Sequence, residues 1–489
     1  MITSAKKMNL TNSTVRSTLW EYLSTYSGKL MVFVSTIILA RLLTQEDFGI
    51  TGYAIVFISF LEVIQGLGVG PALIYLQRYE ARTNTAFWLG IGFGLLLFTI
   101  NWLAAPLAGQ LFNDARAIAA TRSLGFTFPI YALTITHDAL LQKELAFGRK
   151  AVPELIRASS KGVLSILFAL LGFGAASLIW GQIIGACAYM IATWLTLRWR
   201  PTWQFNWRMV PDLLGYGANI VTVNALGIIL LNLDYLIIGR FLGATALGIY
   251  TLAFRLPELL IKQFSDIIAR VVFPTYTKIQ HDIPALRRGF WQTMRYVTLV
   301  TVPLGIGLAL VARPFILAIF SEKWLEAAPV LSLIALYTLL RSLTFNVGDV
   351  FKAQGKPGVI TKLSVIKLIV LLPGLLWAVL APKSLVAVAW VETAVALLGT
   401  VLNLYVISQL LGVSIRNLLS AWQPALLGSI IMLPVVLMML WLTNHQLPIV
   451  QLLTATLSGA IAYGAALWWL QRSVVLNIVQ TLQTAVVGR

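Results

Sequence analysis

The sequence predicts an all-α polytopic membrane protein with about fourteen transmembrane helices, built as two pseudo-repeated six-helix lobes plus two C-terminal helices. Three observations carry this. Hydrophobic residues fill 58% of the 489 positions and charged residues only 11%, with a mean hydropathy of +0.84. Repeated apolar runs of about 20 residues produce that balance, and soluble domains do not. Lysine and arginine alternate between abundance and scarcity from one connection to the next, as they do across a bilayer. Finally, a segment near the start of the chain recurs near its middle, in the same membrane sense.

In chain order the apolar runs cover residues 18–43, 48–76, 86–107, 118–141, 153–172, 175–197, 213–242, 246–274, 294–319, 327–350, 359–380, 385–410, 417–442 and 447–470. Short hinges such as Gly172–Gly174 separate several of them, and no connection is long enough for a soluble domain. The start, MITSAKKMNLTNSTVRST, lacks an apolar signal region and a cleavage site, so the first span is expected to be retained. With the N-terminus placed in the cytoplasm, the inner segments hold twenty-four Lys and Arg and the outer ends seven. Arg157, Lys161, Arg198, Arg200, Arg208 and Lys367 count among the inner set; Arg41, Arg116, Arg240 and Arg313 belong to the outer. Both termini are therefore expected inside. The net charge of +18 then reflects orientation and attraction to anionic lipid heads, with no need of nucleic acid.

The repeat is legible by eye. ILARLLTQEDFGITGYA (38–54) aligns without gaps to IIGRFLGATALGIYTLA (237–253), an offset of 199, with Arg41/Arg240, Leu43/Leu242, Gly49/Gly248 and Ala54/Ala253 among the identities. PLAGQLFND (106–114) answers PFILAIFSE (314–322) at an offset of 208. Six spans separate the copies, an even number, so the repeat is parallel about an axis along the membrane normal. The expected organisation is an N-lobe of residues 1–209, a C-lobe of 210–412, and two further spans in 413–489. Such a pair of lobes describes alternating access, with the substrate site near mid-membrane where the lobes meet.

The eighth span carries the densest charge. Arg255, Glu258, Lys262, Asp266 and Arg270 follow at spacings of three, four, four and four, which places them within an arc of about 120° on one helix face. Charges inside a membrane span face protein or water, not lipid. Two readings stay open: a polar wall to a cavity, or a self-neutralised packing seam of i,i+3 and i,i+4 pairs. Arg255, Glu258 and Lys262 fit the first better than Asp266 and Arg270, which sit nearer the cytoplasmic interface. Pro257, on the opposite face, is expected to kink the helix.

Other intramembrane polar groups add to the set. Lys29 in span one faces a cavity or pairs with Glu62 of span two, while Glu21 is an interfacial end group. Beyond Glu62 lie Gly66, Gly68, Gly70 and Pro71, which soften the helix or allow close helix contact. Span seven holds Asn219, Asn224, Asn232 and Asp234; interhelical hydrogen bonding is their default role, with Asp234 also a candidate proton or cation site. Span ten holds Arg341, Asn346 and Asp349; Glu392 and the His137–Asp138 pair complete the group. No nucleophile–base constellation, metal-ligand spacing or nucleotide loop is present, so catalytic residues, metals and cofactors are none. An ion gradient or mass action is the expected driving force.

Several strings, taken together, resemble one family: ILARLLTQEDFGI, LLQKELAFGRK, NLDYLIIGRFLGATALGIY, RVVFPTYTKIQHD and FSEKWLEAAPVLSLI. The chain is similar to the bacterial polysaccharide flippases, of O-antigen and colanic-acid type, in the multidrug/oligosaccharidyl-lipid/polysaccharide exporter superfamily. The likeness covers spans one to twelve well and the last two by hydropathy. It implies flipping of an undecaprenyl-pyrophosphate-linked oligosaccharide across the bacterial inner membrane, beside polysaccharide polymerase machinery. In that reading Lys29, Arg255, Lys262 and Arg341 bind the anionic head group. Glu62, Asp234, Glu258 and Asp349 are then the cavity carboxylates that could take a coupling proton or sodium ion. Two alternatives stand beside it. A small-molecule or cation antiporter of the same superfamily would want an excess of cavity acids, and a membrane polysaccharide polymerase or ligase would want a large outer loop.

Overall fold

The computed structural model describes residues 27–65, 70, 72–73, 80–144, 147–470 and 472; within these, the side chains of 63–64, 147, 215–226, 267 and 270–271 are outside the description. Every regular element among the described residues is helical. Residues 27–42 form α1, followed by α2 (Gln45–Gln65), α3 (Glu80–Phe112), α4 (Arg116–Gly125), α5 (Thr127–Lys143), α6 (Phe147–Leu170) and α7 (Ala175–Thr196). Then come α8 (Val210–Phe241), α9 (Gly243–Pro257), α10 (Gln263–Lys278), α11 (Ile283–Phe315), α12 (Ala327–Ser342) and α13 (Val347–Ala353). The series closes with α14 (Gly358–Leu380), α15 (Leu385–Leu411), α16 (Ile415–Leu419), α17 (Gln423–Leu442) and α18 (Pro448–Leu470).

Nine of the described helical stretches are long and apolar enough to cross a bilayer by length and composition. The expected count of fourteen rests on the sequence pattern. Three expected spans are broken rather than continuous: 118–141 divides at Phe126 into α4 and α5, 327–350 divides between Ser342 and Val347 into α12 and α13, and 417–442 divides between Leu419 and Gln423 into α16 and α17. The chain forms two compact units, Met1–Thr251 and Leu252–Arg489, so that the boundary falls inside α9.

In the first unit the two copies of the repeat pack on one another, and the contact is reciprocal. A Cβ on Gly49 would lie 1.8 Å from the Ala244 carbonyl oxygen, and a Cβ on Gly248 would lie 1.9 Å from that of Gln45. Gly49 and Gly248 are equivalent under the 199-residue offset; so are Gln45 and Ala244. Each copy therefore presents the same patch to the other, the signature of a two-fold relation within one chain. Backbone meets backbone here because neither glycine has a side chain to hold the helices apart.

The second repeat pair also has a structural counterpart. Phe112 and Phe320, 208 residues apart, each end a helical run and are each almost fully buried. Each is followed by a non-glycine residue at positive φ, Asn113 at 54° and Ser321 at 121°. Such a residue stops the helix and turns the chain.

After Asn113, Asp114 receives Arg116 through both its backbone N–H (2.9 Å) and its guanidinium (2.9–3.2 Å), and Arg116 also reaches Glu46 at the start of α2 (2.6 Å). Hydrogen bonding from Arg116 holds the Asp114 carboxyl below its usual 3.8. A carboxylate so shifted stabilises the fold at all pH above its ordinary value and stops doing so as pH falls through the depressed one. In Asp114→Asn the loss of thermal stability on acidification below pH ~4 should be shallower than in the wild type. Because the pair is exposed, the difference at neutral pH should stay under about 1 kcal/mol. Melting curves of detergent-solubilised protein across pH check this; parallel curves would count against the linkage.

The second unit has a core where α10 to α17 converge, around Tyr276, Phe290, Met294, Val347, Phe351, Ile407 and Ala425. The α17–α18 pair packs on α11 through Met432, Val436, Leu452 and Val311, and Tyr463 of α18 donates to the Leu299 carbonyl of α11 (2.7 Å). These last two helices are therefore integral to that unit's packing.

Candidate functional site

Between Arg255 and Asp266 the helix departs from the α form. After Pro257, which has no N–H to give, Glu258–Lys262 form one π turn, closed by a bond from the Gln263 N–H to the Glu258 carbonyl. The expected kink is thus taken up as a widened turn. Lys262 Nζ sits 3.7 Å from Glu258 Oε1 and 3.2 Å from Asp266 Oδ2, with all three side chains half-exposed. Arg255 forms no ion pair or hydrogen bond among the described residues. It follows Phe254, whose ring meets Tyr337 edge-on at 5.8 Å. The side chain of Arg270 lies outside the described residues.

Three more helices bring their own charges. On α12, Arg341 Nη1 donates to the Tyr337 hydroxyl (2.6 Å), and its guanidinium carbon stands 5.4 Å from the ring centre. Glu392 of α15 and Asp266 lie within electrostatic range of Arg341, as does Lys367 of α14. The register between α12 and α15 follows from two threonines seven residues apart. Thr393 donates to the Leu333 carbonyl (3.1 Å) and Thr400 to that of Leu340 (2.9 Å). On the other side Gly399 leaves room for the Lys367 stem, whose Cδ would lie 3.1 Å from a Cβ there. Lys262, Asp266, Arg341, Lys367 and Glu392 are thus gathered in the second unit. Arg341 and Lys367 form no ion pair among the described residues.

Lys367 corrects the sequence count. Assigned there to an inner connection, it is the tenth residue of the 23-residue α14. Arg157 and Lys161 likewise lie well inside α6, where Arg157 pairs with Glu154 at 2.8 Å. A lone cation with apolar residues on both sides was the available signal for Lys367; for Arg157 the dense charge of the preceding segment masked it.

The remaining candidates fall elsewhere. Asp349 on α13 pairs locally with Lys352 (3.5 Å). In the first unit Asp234 is 5% exposed and accepts a hydrogen bond from the Tyr250 hydroxyl (2.8 Å). Lys29 and Glu62 are exposed on α1 and α2. Asn232, expected to bridge helices, donates instead to the Ile228 carbonyl of its own helix (2.9 Å). Asn346 does bridge, donating to the Tyr276 hydroxyl (2.9 Å). His137 is fully buried, stacked on Trp194 at 4.8 Å. Its neighbour Asp138 accepts from the Tyr189 hydroxyl at 2.6 Å, a bond that sequence reasoning missed. Glu21 and, of the softened run, Gly66, Gly68 and Pro71 are outside the described residues. Among the described residues no cluster of three His, Cys, Asp or Glu is placed to hold a metal ion.

Residues 38–329 match the model of a family described as polysaccharide biosynthesis protein. The chain belongs to that family. It is 30% identical over 413 residues to the teichuronic acid biosynthesis protein TuaB of Bacillus subtilis (strain 168), which covers 82% of this chain and 84% of TuaB. It is 26% identical over 424 residues to the lipopolysaccharide biosynthesis protein WzxC of Escherichia coli (strain K12), covering 85% and 86%. Among solved structures, the lipid II flippase MurJ in an inward closed conformation has a TM-score of 0.75 at 14% identity, covering 94% of this chain and all of MurJ. An inward-facing multidrug resistance MATE transporter of the MOP superfamily has a TM-score of 0.66 at 16% identity, covering 79% and 96%. These likenesses show the fold. The family resemblance read from the sequence holds: this is a multi-pass membrane protein of the polysaccharide biosynthesis family.

Proposed function

We propose that the protein flips an undecaprenyl-pyrophosphate-linked oligosaccharide across the inner membrane for cell-surface polysaccharide export, with both termini in the cytoplasm. The observation that supports this is the state of three cations in the second unit. Arg255, Arg341 and Lys367 stand on apolar helices without an ion pair among the described residues. Cations held in that setting are expensive unless an anion reaches them. A pyrophosphate supplies that charge, with Arg341 and Arg255 offering planar donor forks and Lys367 a point charge. The polyprenyl tail stays in lipid while the sugars use the polar wall. Glu62, Asp234, Glu258 and Asp349 are the carboxylates for a coupling proton or sodium ion, and a polysaccharide polymerase is the natural consumer of the product.

Arg255→Ala should insert and accumulate normally yet export poorly. In a deletion strain complemented with this variant, mass analysis should find a lipid-linked saccharide accumulating in the membrane, as in the strain with no copy at all. The mass identifies the glycan. Wild-type export by Arg255→Ala would remove that arginine from the path, and a deletion strain that accumulates no lipid-linked saccharide would sink the substrate class.

A further inference from the structure

The connection from α7 to α8, residues 197–209, is held as firmly as a helix although it is extended. Asn84 at the start of α3 grips Thr202 twice, accepting from its backbone N–H (3.1 Å) and donating to its hydroxyl (2.6 Å). Trp88 donates its indole N–H to the Thr202 carbonyl (2.8 Å), and Thr85 accepts from the Asn206 N–H (3.0 Å). Inside the loop, Arg200 closes onto the carbonyls of Leu197 and Trp199, both at 2.8 Å. Trp199 turns inward against Phe87 and His137, with ring centroids 5.8 and 5.2 Å away.

That fixed backbone displays its other aromatics outward. Trp203 is 88% exposed and stacks on Trp88 at 4.2 Å, and Trp207 is 78% exposed with Phe205 edge-on at 4.8 Å. Arg198 and Arg200 before them and Arg208 after them are exposed, and no acidic residue occurs from Ala175 to Pro211. A linker needed only to join two helices has no use for three large exposed rings on a braced frame. Tryptophan flanked by arginine is the composition of the zone where acyl chains give way to head groups. The positive charge, uncompensated within the loop, selects the anionic side of that zone.

We propose that residues 198–208 are a lipid-docking platform: Trp203, Phe205 and Trp207 insert at the cytoplasmic interface and Arg198, Arg200 and Arg208 hold anionic phospholipid heads. This rests on the cytoplasmic placement of the loop proposed above. The chain's one cysteine, Cys187, allows a clean test on the full-length protein: a Cys187→Ala background carrying Gln204→Cys. In intact cells an impermeant maleimide should label Gln204→Cys only after permeabilisation; labelling without it would overturn the topology and the docking face together.

In proteoliposomes, a fluorophore at that position should be quenched by acyl-brominated lipid and shielded from aqueous iodide. Both effects should be stronger in vesicles of phosphatidylcholine with phosphatidylglycerol than in phosphatidylcholine alone. Replacing Arg198, Arg200 and Arg208 with Gln should reduce the preference for phosphatidylglycerol about five-fold per arginine. Replacing Trp203 and Trp207 with Ser should restore iodide access while leaving the arginine effect in place. A probe open to iodide in both vesicle types would overturn the platform. So would one shielded from iodide and bromolipid alike, which would mean that protein covers the loop.

Discussion

Gly248→Leu is expected to leave no folded protein in the membrane, and Gly49→Leu should do the same. At Gly248 even a Cβ would fall 1.9 Å from the Gln45 oxygen, 2.9 Å from its carbon and 3.1 Å from the Gly49 nitrogen. At Gly49 the obstacle is the Ala244 backbone, with oxygen, carbon and Cα all under 3 Å. No side chain can swing aside, so α2 and α9 would have to separate. Overpacking costs about 1–3 kcal/mol where side chains can adjust, and more where backbone must move. Set against a total stability of roughly 5–15 kcal/mol, that is a large share. The milder Gly→Ala pair is the sharper test, because the reciprocal contact demands that Gly49→Ala and Gly248→Ala destabilise to a similar degree. Gly307 on α11, where a Cβ would meet nothing within 4 Å, is the control and should tolerate alanine. Thermal stability in detergent, read by size-exclusion, measures the three alanine variants; a Gly248→Ala protein that melts with the wild type would dismiss the crossing.

Removing the Arg341 guanidinium should reduce transport about 10- to 100-fold, the loss of one charge-assisted hydrogen bond to a phosphate oxygen. Arg341→Ala takes away the charge and the fork together. Arg341→Lys keeps the charge and should recover part of the rate, since lysine supplies a point charge in place of paired donors. Tyr337→Phe leaves the cation but frees it from the 2.6 Å hydroxyl contact, so it should weaken transport less than Arg341→Ala. Lys367→Ala should resemble Arg341→Ala, because the two cations lie within electrostatic range of one another. Initial rates of lipid-linked saccharide translocation in proteoliposomes, at matched protein amounts, separate these cases. If Arg341→Ala and Lys367→Ala both transport at the wild-type rate, the cationic wall has no part in the passage.

Much of the fold was legible because a bilayer imposes simple rules on sequence. Apolar length marks helices, and a repeat shows as equal offsets. The offset of 208 went further, since it placed Phe112 opposite Phe320 and thereby Asn113 opposite Ser321, two non-glycine positions that both prove to have positive φ. The site was less legible. The charge spacing from Arg255 to Asp266 announced itself, and the i,i+4 partners of Lys262 could be read from it. The π turn could not: Pro257 signals a disturbance, but whether the helix bends or widens depends on what packs around it. Lys367 was lost to a count by connection, because its neighbours in sequence say nothing of Arg341 on another helix.

What the amino-acid order determined alone is the helical membrane class, the doubled architecture and the presence of more cations than a lipid-facing helix tolerates. Those follow from local hydropathy and from spacing along one chain. Tertiary structure decided which polar groups meet. It seated Asp234 beneath Tyr250, set Gly399 beside Lys367, and turned two glycines 199 residues apart into one helix crossing. Such pairings depend on the register between helices, and register is a property of side chains packing across space, where sequence distance carries no information.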